Sequence, residues 1–156
     1  MRRSDREVKE RAVLEEILKE SDVCRIAVST KGAPYIVPLN FGYEFDGEKL
    51  TLWFHCAREG RKLDLIAANN NVGFEMDCAH RLITGPNACD FSMNYRSVIG
   101  TGAISVIDDA DEKTKGLSLI MEHYGGKGLP FKGPMLNAMK TLRLDVVEFT
   151  GKKSGD

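Results

Sequence analysis

Hydrophobic positions recur along this chain in two periods, and the change from one to the other outlines the fold. Near the N-terminus Val13, Leu14, Ile17 and Leu18 fall at three- and four-residue steps among charged residues, which predicts an amphipathic helix over residues 8–19. Ser4-Asp5-Arg6-Glu7 has the spacing of a capping box to open it, and Ser21-Asp22 closes it. From there the period becomes two. Residues 23–29, 34–41, 42–45 and 49–55 read as strands, with turns at Lys31-Gly32 and Asp46-Gly47. In the fourth strand Leu50, Leu52 and Phe54 share one face and Thr51, Trp53 and His55 the other, so the first face is expected to be core.

Helical spacing returns over 61–68, with Leu63, Ile66 and Ala67 inward, until Asn69-Asn70-Asn71 stops it. Residues 72–78 form the next strand, 79–94 are irregular around Gly85-Pro86, and 95–107 are a long strand. Asp108 and Asp109 offer an N-cap and favourable charge to a second long helix. Its stripe is Leu117, Ile120, Met121 and Tyr124, and Gly125-Gly126 ends it. A Gly- and Pro-rich loop over 128–135 leads to a last strand at 141–149 and a polar tail at 150–156. About seven short strands with few helices predict a mainly β, antiparallel barrel occupying residues 1–156 as one domain. No G-x-G-x-x-G or Walker pattern is present, so a nucleotide held in the Rossmann manner is not expected.

Composition narrows the partners. The 22 Lys+Arg balance 23 Asp+Glu to a net charge of −1, which argues against a nucleic-acid binder. No apolar run approaches the roughly 20 residues of a membrane span. Arg2-Arg3 is followed by no apolar stretch, so no export signal is expected. The 4 cysteines (Cys24, Cys56, Cys78, Cys89) are scattered with no C-x-x-C, which speaks against structural zinc and reads as free thiols in the cytoplasm.

The stretch Phe54-His55-Cys56-Ala57-Arg58-Glu59-Gly60-Arg61-Lys62-Leu63-Asp64 carries the strongest chemical cue. It is a strand end, a short loop with one glycine, and adjacent Arg and Lys opening a helix. Free N–H groups at a helix start, a guanidinium and an ammonium together suit a phosphate. His55, beside that loop, is either a hydrogen-bonded strand histidine or a ligand contact and proton donor. Cys56 is its neighbour, but adjacent strand residues face opposite ways, so a Cys–His nucleophile is not expected. His80 and His123 read as surface or loop residues, and three scattered histidines make no metal cluster.

Pro38, in the run Tyr35-Ile36-Val37-Pro38-Leu39-Asn40, cannot donate to a ladder. It marks either an edge strand or backbone freed to face a planar ring such as a flavin. Arg96, Val98, Gly100 and Gly102 share a face of the long strand, and the two glycines imply a bulge or the close approach of another body, cofactor or subunit. Ser97 faces the other way, where its hydroxyl suits a phosphate.

With these residues in place the chain resembles the FMN-binding split-barrel superfamily of pyridoxamine 5'-phosphate oxidase, and within it the nitroimidazole-resistance branch. The segments that carry the resemblance are Val23-Cys24-Arg25-Ile26-Ala27, Val37-Pro38-Leu39-Asn40-Phe41-Gly42-Tyr43, His55 to Lys62, and Tyr95-Arg96-Ser97-Val98-Ile99-Gly100-Thr101-Gly102. It implies an antiparallel Greek-key split barrel and a homodimer with FMN at the interface. Carried over position by position, Arg61 and Lys62 match the pair that grips the FMN phosphate. Val37, Pro38, Leu39 and Asn40 match the strand whose backbone meets the ring, His55 a position close to the cofactor, and Arg96 and Ser97 a strand near the phosphate. Gly60 stands where the oxidase has a hydroxyl residue, and the chain ends in Lys152-Lys153-Ser154-Gly155-Asp156 without the oxidase's pyridoxal-binding pattern, so vitamin B6 oxidation is not expected. The resemblance implies an oxidoreductase passing electrons from reduced FMN to a small oxidised compound, a nitroimidazole among them. The competing expectation is a module that binds flavin, deazaflavin or haem without turnover.

Overall fold

Three long strands frame the molecule, and the rest hangs from them. The computed structural model describes residues 3–131 and 133–155; Met1, Arg2, Lys132 and Asp156 lie outside the described residues, and with them parts of the Arg2-Arg3 pair, the 128–135 loop and the tail. In chain order the elements are β1 (Glu7–Val8), α1 (Arg11–Glu20), β2 (Cys24–Val28), β3 (Tyr35–Leu39), β4 (Phe41–Asp46), β5 (Lys49–Ala57), α2 (Arg61–Ala68), β6 (Asn71–Ile83), β7 (Ser92–Ile107), α3 (Ala110–His123), α4 (Gly133–Asn137) and β8 (Met139–Ser154). The strands form one antiparallel sheet in the order β3-β2-β6-β7-β8-β5-β4, and β1 pairs with β8. The two outermost strands, β3 and β4, are separated in sequence only by Asn40. The sheet therefore curls round until its ends meet, giving a split barrel.

The interior follows the period-two reading. Ile26, Phe74, Val98, Leu144, Leu52 and Phe54, one or two from each of five strands, are at most 2% exposed and pack in one cluster. Leu14, Ile17 and Leu18 of α1 join it. The tight β4–β5 turn uses Gly47 at φ 57, a conformation glycine adopts without a Cβ penalty.

Trp53 corrects the expectation that β5 has one core face. It is 2% exposed and packs in a second cluster with Ile107, Leu117 and Ile120 of the outer layer. The cause is α3, which lies directly on the sheet. A Cβ added at Gly42 would sit 2.4 Å from Ile120 N, and one at Gly116 would sit 2.3 Å from Trp53 Cε3. Trp53 Nε1 donates to Glu44 Oε2 at 3.0 Å, so the buried indole is satisfied.

Four local expectations change. Residues 4–7 form no capping box: Ser4–Arg6 is a 3-10 turn, and Val8 is buried in β1 opposite Gly151. Helix α1 therefore starts later, at Arg11, without a side-chain cap. Residues 79–83 and 92–94 are strand rather than irregular, because β6 and β7 continue as a hairpin past a register shift at Cys78/Arg81, where Ala79 adopts φ 55. The polar tail is strand through Ser154, since β7 offers it a ladder, Gly151 turns inward against Leu14, and Ser154 is buried as well. Ala67 of α2 is exposed, while Leu65 packs against the core.

The glycines of β7 are also filled from within the chain. A Cβ at Gly100 would lie 2.4 Å from Glu148 O and 2.6 Å from Phe74 Cε1, and one at Gly102 would lie 2.4 Å from Asp145 O. A register shift at Thr101/Gly102 leaves Val147 as the extra residue of a bulge, 80% exposed. The bulge reading holds, and no open groove remains there.

Candidate functional site

The outside of the barrel has two unlike halves. Helix α3 covers β4, β5 and the start of β8. Over β3, β2, β6 and β7 the outward rows are Ile36–Ala27–Gly73–Thr101 and Pro38–Arg25–Glu75–Ile99. Ile36 and Ile99 are 59% and 54% exposed on this half, with small Ala27 and Gly73 between them.

At one border of that half, α2 begins. Gly60, at φ 141, occupies its N-cap and offers no side chain to the free N–H groups. The N–H groups of Leu63 and Asp64 turn back to Gly60 O. Those of Arg61 and Lys62 point out of the helix start, and the helix dipole adds partial positive charge. Arg61 is exposed and its Cζ lies 4.8 Å over the ring of Tyr35, the first residue of β3. The cation–π contact thereby holds the guanidinium beside the sheet edge. Lys62 is half-buried, and its ammonium lies close enough to Cys56 to offset part of the effect of burial, which pushes that thiol up. Backbone donors, a guanidinium and an ammonium all belong to this helix start, and residues of these types fit a phosphate.

Strand β3 is an edge: among the described residues it pairs with β2 alone. Val37 and Leu39 turn inward onto the core, and Pro38 and Asn40 are exposed. The edge reading of Pro38 therefore holds, and the unpaired side of the strand is available to a planar group. His55 is exposed near the end of β5, opposite Thr141, and Cys56 is buried on the other face. The two therefore form no nucleophile pair.

Arg96 and Ser97 are not brought to the same place. Tyr35 is level with Val28, Val72 and Gly102 across the sheet, and Arg96 lies six residues before Gly102 on β7. That is roughly 20 Å along the strand. Arg96 instead donates to Glu16 Oε2 at 3.2 Å on α1, and Ser97 is buried between Asp77 and Lys152.

His80 pairs with Asp77 at 2.8 Å on the surface. His123 is a correction: it is half-buried, its Nε2 is 2.9 Å from Ser21 O, and its ring centroid is 4.5 Å from that of Phe41. It ties α3 to the end of α1. Tyr35, the platform under Arg61, carries no signal of its own in the sequence; only the β2–β3 register, which joins distant segments, reveals it. No helix among the described residues is long and apolar enough to cross a membrane.

Residues 10–153 match the family model described as pyridoxamine 5'-phosphate oxidase. No curated protein matches the chain. Among solved structures, a Bacteroides thetaiotaomicron VPI-5482 protein proposed to confer 5-nitroimidazole antibiotic resistance is 32% identical, with TM-score 0.80 over 94% of this chain and 86% of its own. The flavocytochrome Anf3 of Azotobacter vinelandii is 18% identical, with TM-score 0.80 over 100% of this chain and 72% of its own. An FAD- and haem-binding protein of Mycobacterium smegmatis is 19% identical, with TM-score 0.81 over 97% and 74%. The last two likenesses are of fold.

Proposed function

The chain belongs to the pyridoxamine 5'-phosphate oxidase-like split-barrel family, in its nitroimidazole-resistance branch, and from that position we propose that it is an FMN-binding oxidoreductase acting on a small oxidised compound. The observation that carries the proposal is the start of α2, where uncapped N–H groups and the adjacent Arg61 and Lys62 open the helix and Arg61 lies over Tyr35 of the edge strand β3. Arg61 and Lys62 hold the phosphate, and the exposed backbone around Pro38 and Asn40 flanks the ring. The flavin, when bound, supplies the electron chemistry, and the protein supplies placement and electrostatics. His55 is exposed and unpaired among the described residues, so it is free to hold a proton for the acceptor. Nitroimidazoles are one acceptor class to test.

The bare half of the barrel supports a homodimer as part of the same proposal. A second copy laid on Ile36, Ala27, Gly73 and Ile99 covers those apolar positions, and it is the means by which the strand of Arg96 and Ser97 in one copy comes near the phosphate region of the other.

The test is an absorbance spectrum of the purified protein, with mass analysis of whatever heat releases. Flavin bands with FMN released support the reading. A colourless protein that takes up no added FMN overturns it. A Soret band replaces it with a haem-binding module.

A further inference from the structure

The turn that carries Arg61 and Lys62 has a second basic side. Arg58, on the same turn, lines a cavity of about 440 Å³ together with Ile107, Asp108, Lys113, Met139 and Lys140. Three cations and one carboxylate meet there. The carboxylate is already engaged, because Lys140 Nζ donates to Asp108 Oδ1 at 2.8 Å. That contact holds the Asp108 carboxyl below its ordinary range.

Lys113 is aimed rather than neutralised. Its Nζ donates to the main-chain oxygens of Leu136 and, at 2.8 Å, Met139. Carbonyls orient an ammonium but leave its charge in place. Arg58 is exposed and makes no ion pair among the described residues. Around the start of α3, outside the cavity lining, Asp109 and Glu112 have partners of their own. Asp109 accepts from the N–H groups of Asp111 and Glu112 as the helix cap, and Glu112 accepts from Arg143 at 2.9 Å. The lining thus holds three cations to one carboxylate, a net positive concave site whose other wall, Ile107 and Met139, is apolar.

We propose that this cavity binds the phosphoryl group of a small organic phosphate, separate from the Arg61–Lys62 site. Arg58 and Lys113 meet the phosphoryl oxygens through charge-assisted hydrogen bonds, and the organic part lies on Ile107 and Met139. None of its residues belongs to the proposed flavin site, so the assignment stands or falls independently of that reading. The phosphoryl chemistry has two sources, free inorganic anion or a nucleotide, and the apolar wall favours the second.

Calorimetric titration of the full chain at low salt, with and without saturating FMN, uses inorganic pyrophosphate and NADP+ as probes. Trp53, the 1 tryptophan of the chain, packs in the same cluster as Ile107 and Met139 and gives a second signal. Both probes are expected to bind, NADP+ more tightly, with no effect of FMN. Arg58→Gln is expected to weaken both about tenfold. Lys113→Gln should do the same, but it also cuts the ties to Leu136 and Met139, so the exposed Arg58 variant is the decisive one. Absence of binding, competition with FMN, or parental affinity in Arg58→Gln overturns the site. Equal affinity for the two probes overturns its organic half.

Discussion

Alanine at position 116 tests how closely α3 must lie on the barrel. Its Cβ would sit 2.3 Å from Trp53 Cε3, 2.9 Å from Cζ3 and 3.0 Å from Thr141 Cγ2. Optimal carbon–carbon contact is about 3.5–4.0 Å, so helix or indole has to give by roughly 1.2 Å or more. Neither gives easily. Trp53 is 2% exposed and bonded to Glu44, and one turn further on the backbone of Leu119 and Ile120 rests on Gly42. Helix propensity works the other way, since Ala in place of a helical Gly gains about 1 kcal/mol. Overpacking costs about 1–3 kcal/mol, and a displaced α3 also loosens the cluster of Trp53, Ile107, Leu117 and Ile120.

The clash is expected to win, leaving Gly116→Ala less stable by about 1–2 kcal/mol. Urea unfolding at fixed protein concentration, followed by Trp53 fluorescence and far-ultraviolet circular dichroism, measures it. Ser118→Ala, on the exposed face of α3, reports propensity together with loss of the exposed Ser118 Oγ to Thr114 O bond and should be close to neutral. Gly116→Ala in a Trp53→Phe background, followed by circular dichroism alone, should cost less than in the parent, because the contact atoms are gone. A Gly116→Ala protein as stable as the parent, or more so, would show that α3 is not seated on the indole.

Replacing both Arg61 and Lys62 by alanine should raise the FMN dissociation constant at least tenfold in a flavin-fluorescence titration; parental affinity refutes the phosphate assignment. His55→Ala should keep its flavin yet slow reoxidation by the acceptor in stopped flow, and equal rates would remove His55 from the chemistry. Ile99→Glu puts a charge on the β7 side of the bare half and should shift the protein to monomer in sedimentation velocity; an unchanged assembly places the interface elsewhere. Cys89 is exposed whereas Cys24, Cys56 and Cys78 are buried, so a maleimide should add once to the native protein and four times in denaturant, read by intact mass. Burial pushes the three inner thiols up. Thiols of the unfolded chain ionise near 8.5. The stability they contribute is therefore complete below that pH and is lost as pH rises above it. A urea midpoint that stays flat from about pH 8 to 10 contradicts this.

Local patterns were legible and non-local ones were not. Helix α2 was readable to the residue, because Gly60, the Leu63 and Ile66 spacing and the Asn run are all within one stretch. The inward face of β5 was readable from Leu50, Leu52 and Phe54 alone. The strand at 150–154 was not, since its Lys and Ser residues look like a solvated tail until β7 is placed beside it. His123 was misplaced for the same reason: Ser21 and Phe41, which hold it, are far off in sequence.

The same division runs through the site. Arg61 and Lys62 were legible because an anion site at a helix start is local. Arg96 and Ser97 were picked from one strand, yet the register sets them roughly 20 Å along β7 from the level of Tyr35. No rearrangement inside one barrel closes that gap, because β7 is paired on both sides along its length. Either the two residues are structural, as the Arg96–Glu16 contact allows, or they serve the flavin of a second copy. The Ile99→Glu variant separates these alternatives. If Arg96 acts across an interface, breaking the dimer costs flavin as well as assembly, whereas a structural Arg96 leaves flavin affinity of the monomer to Arg61 and Lys62 alone.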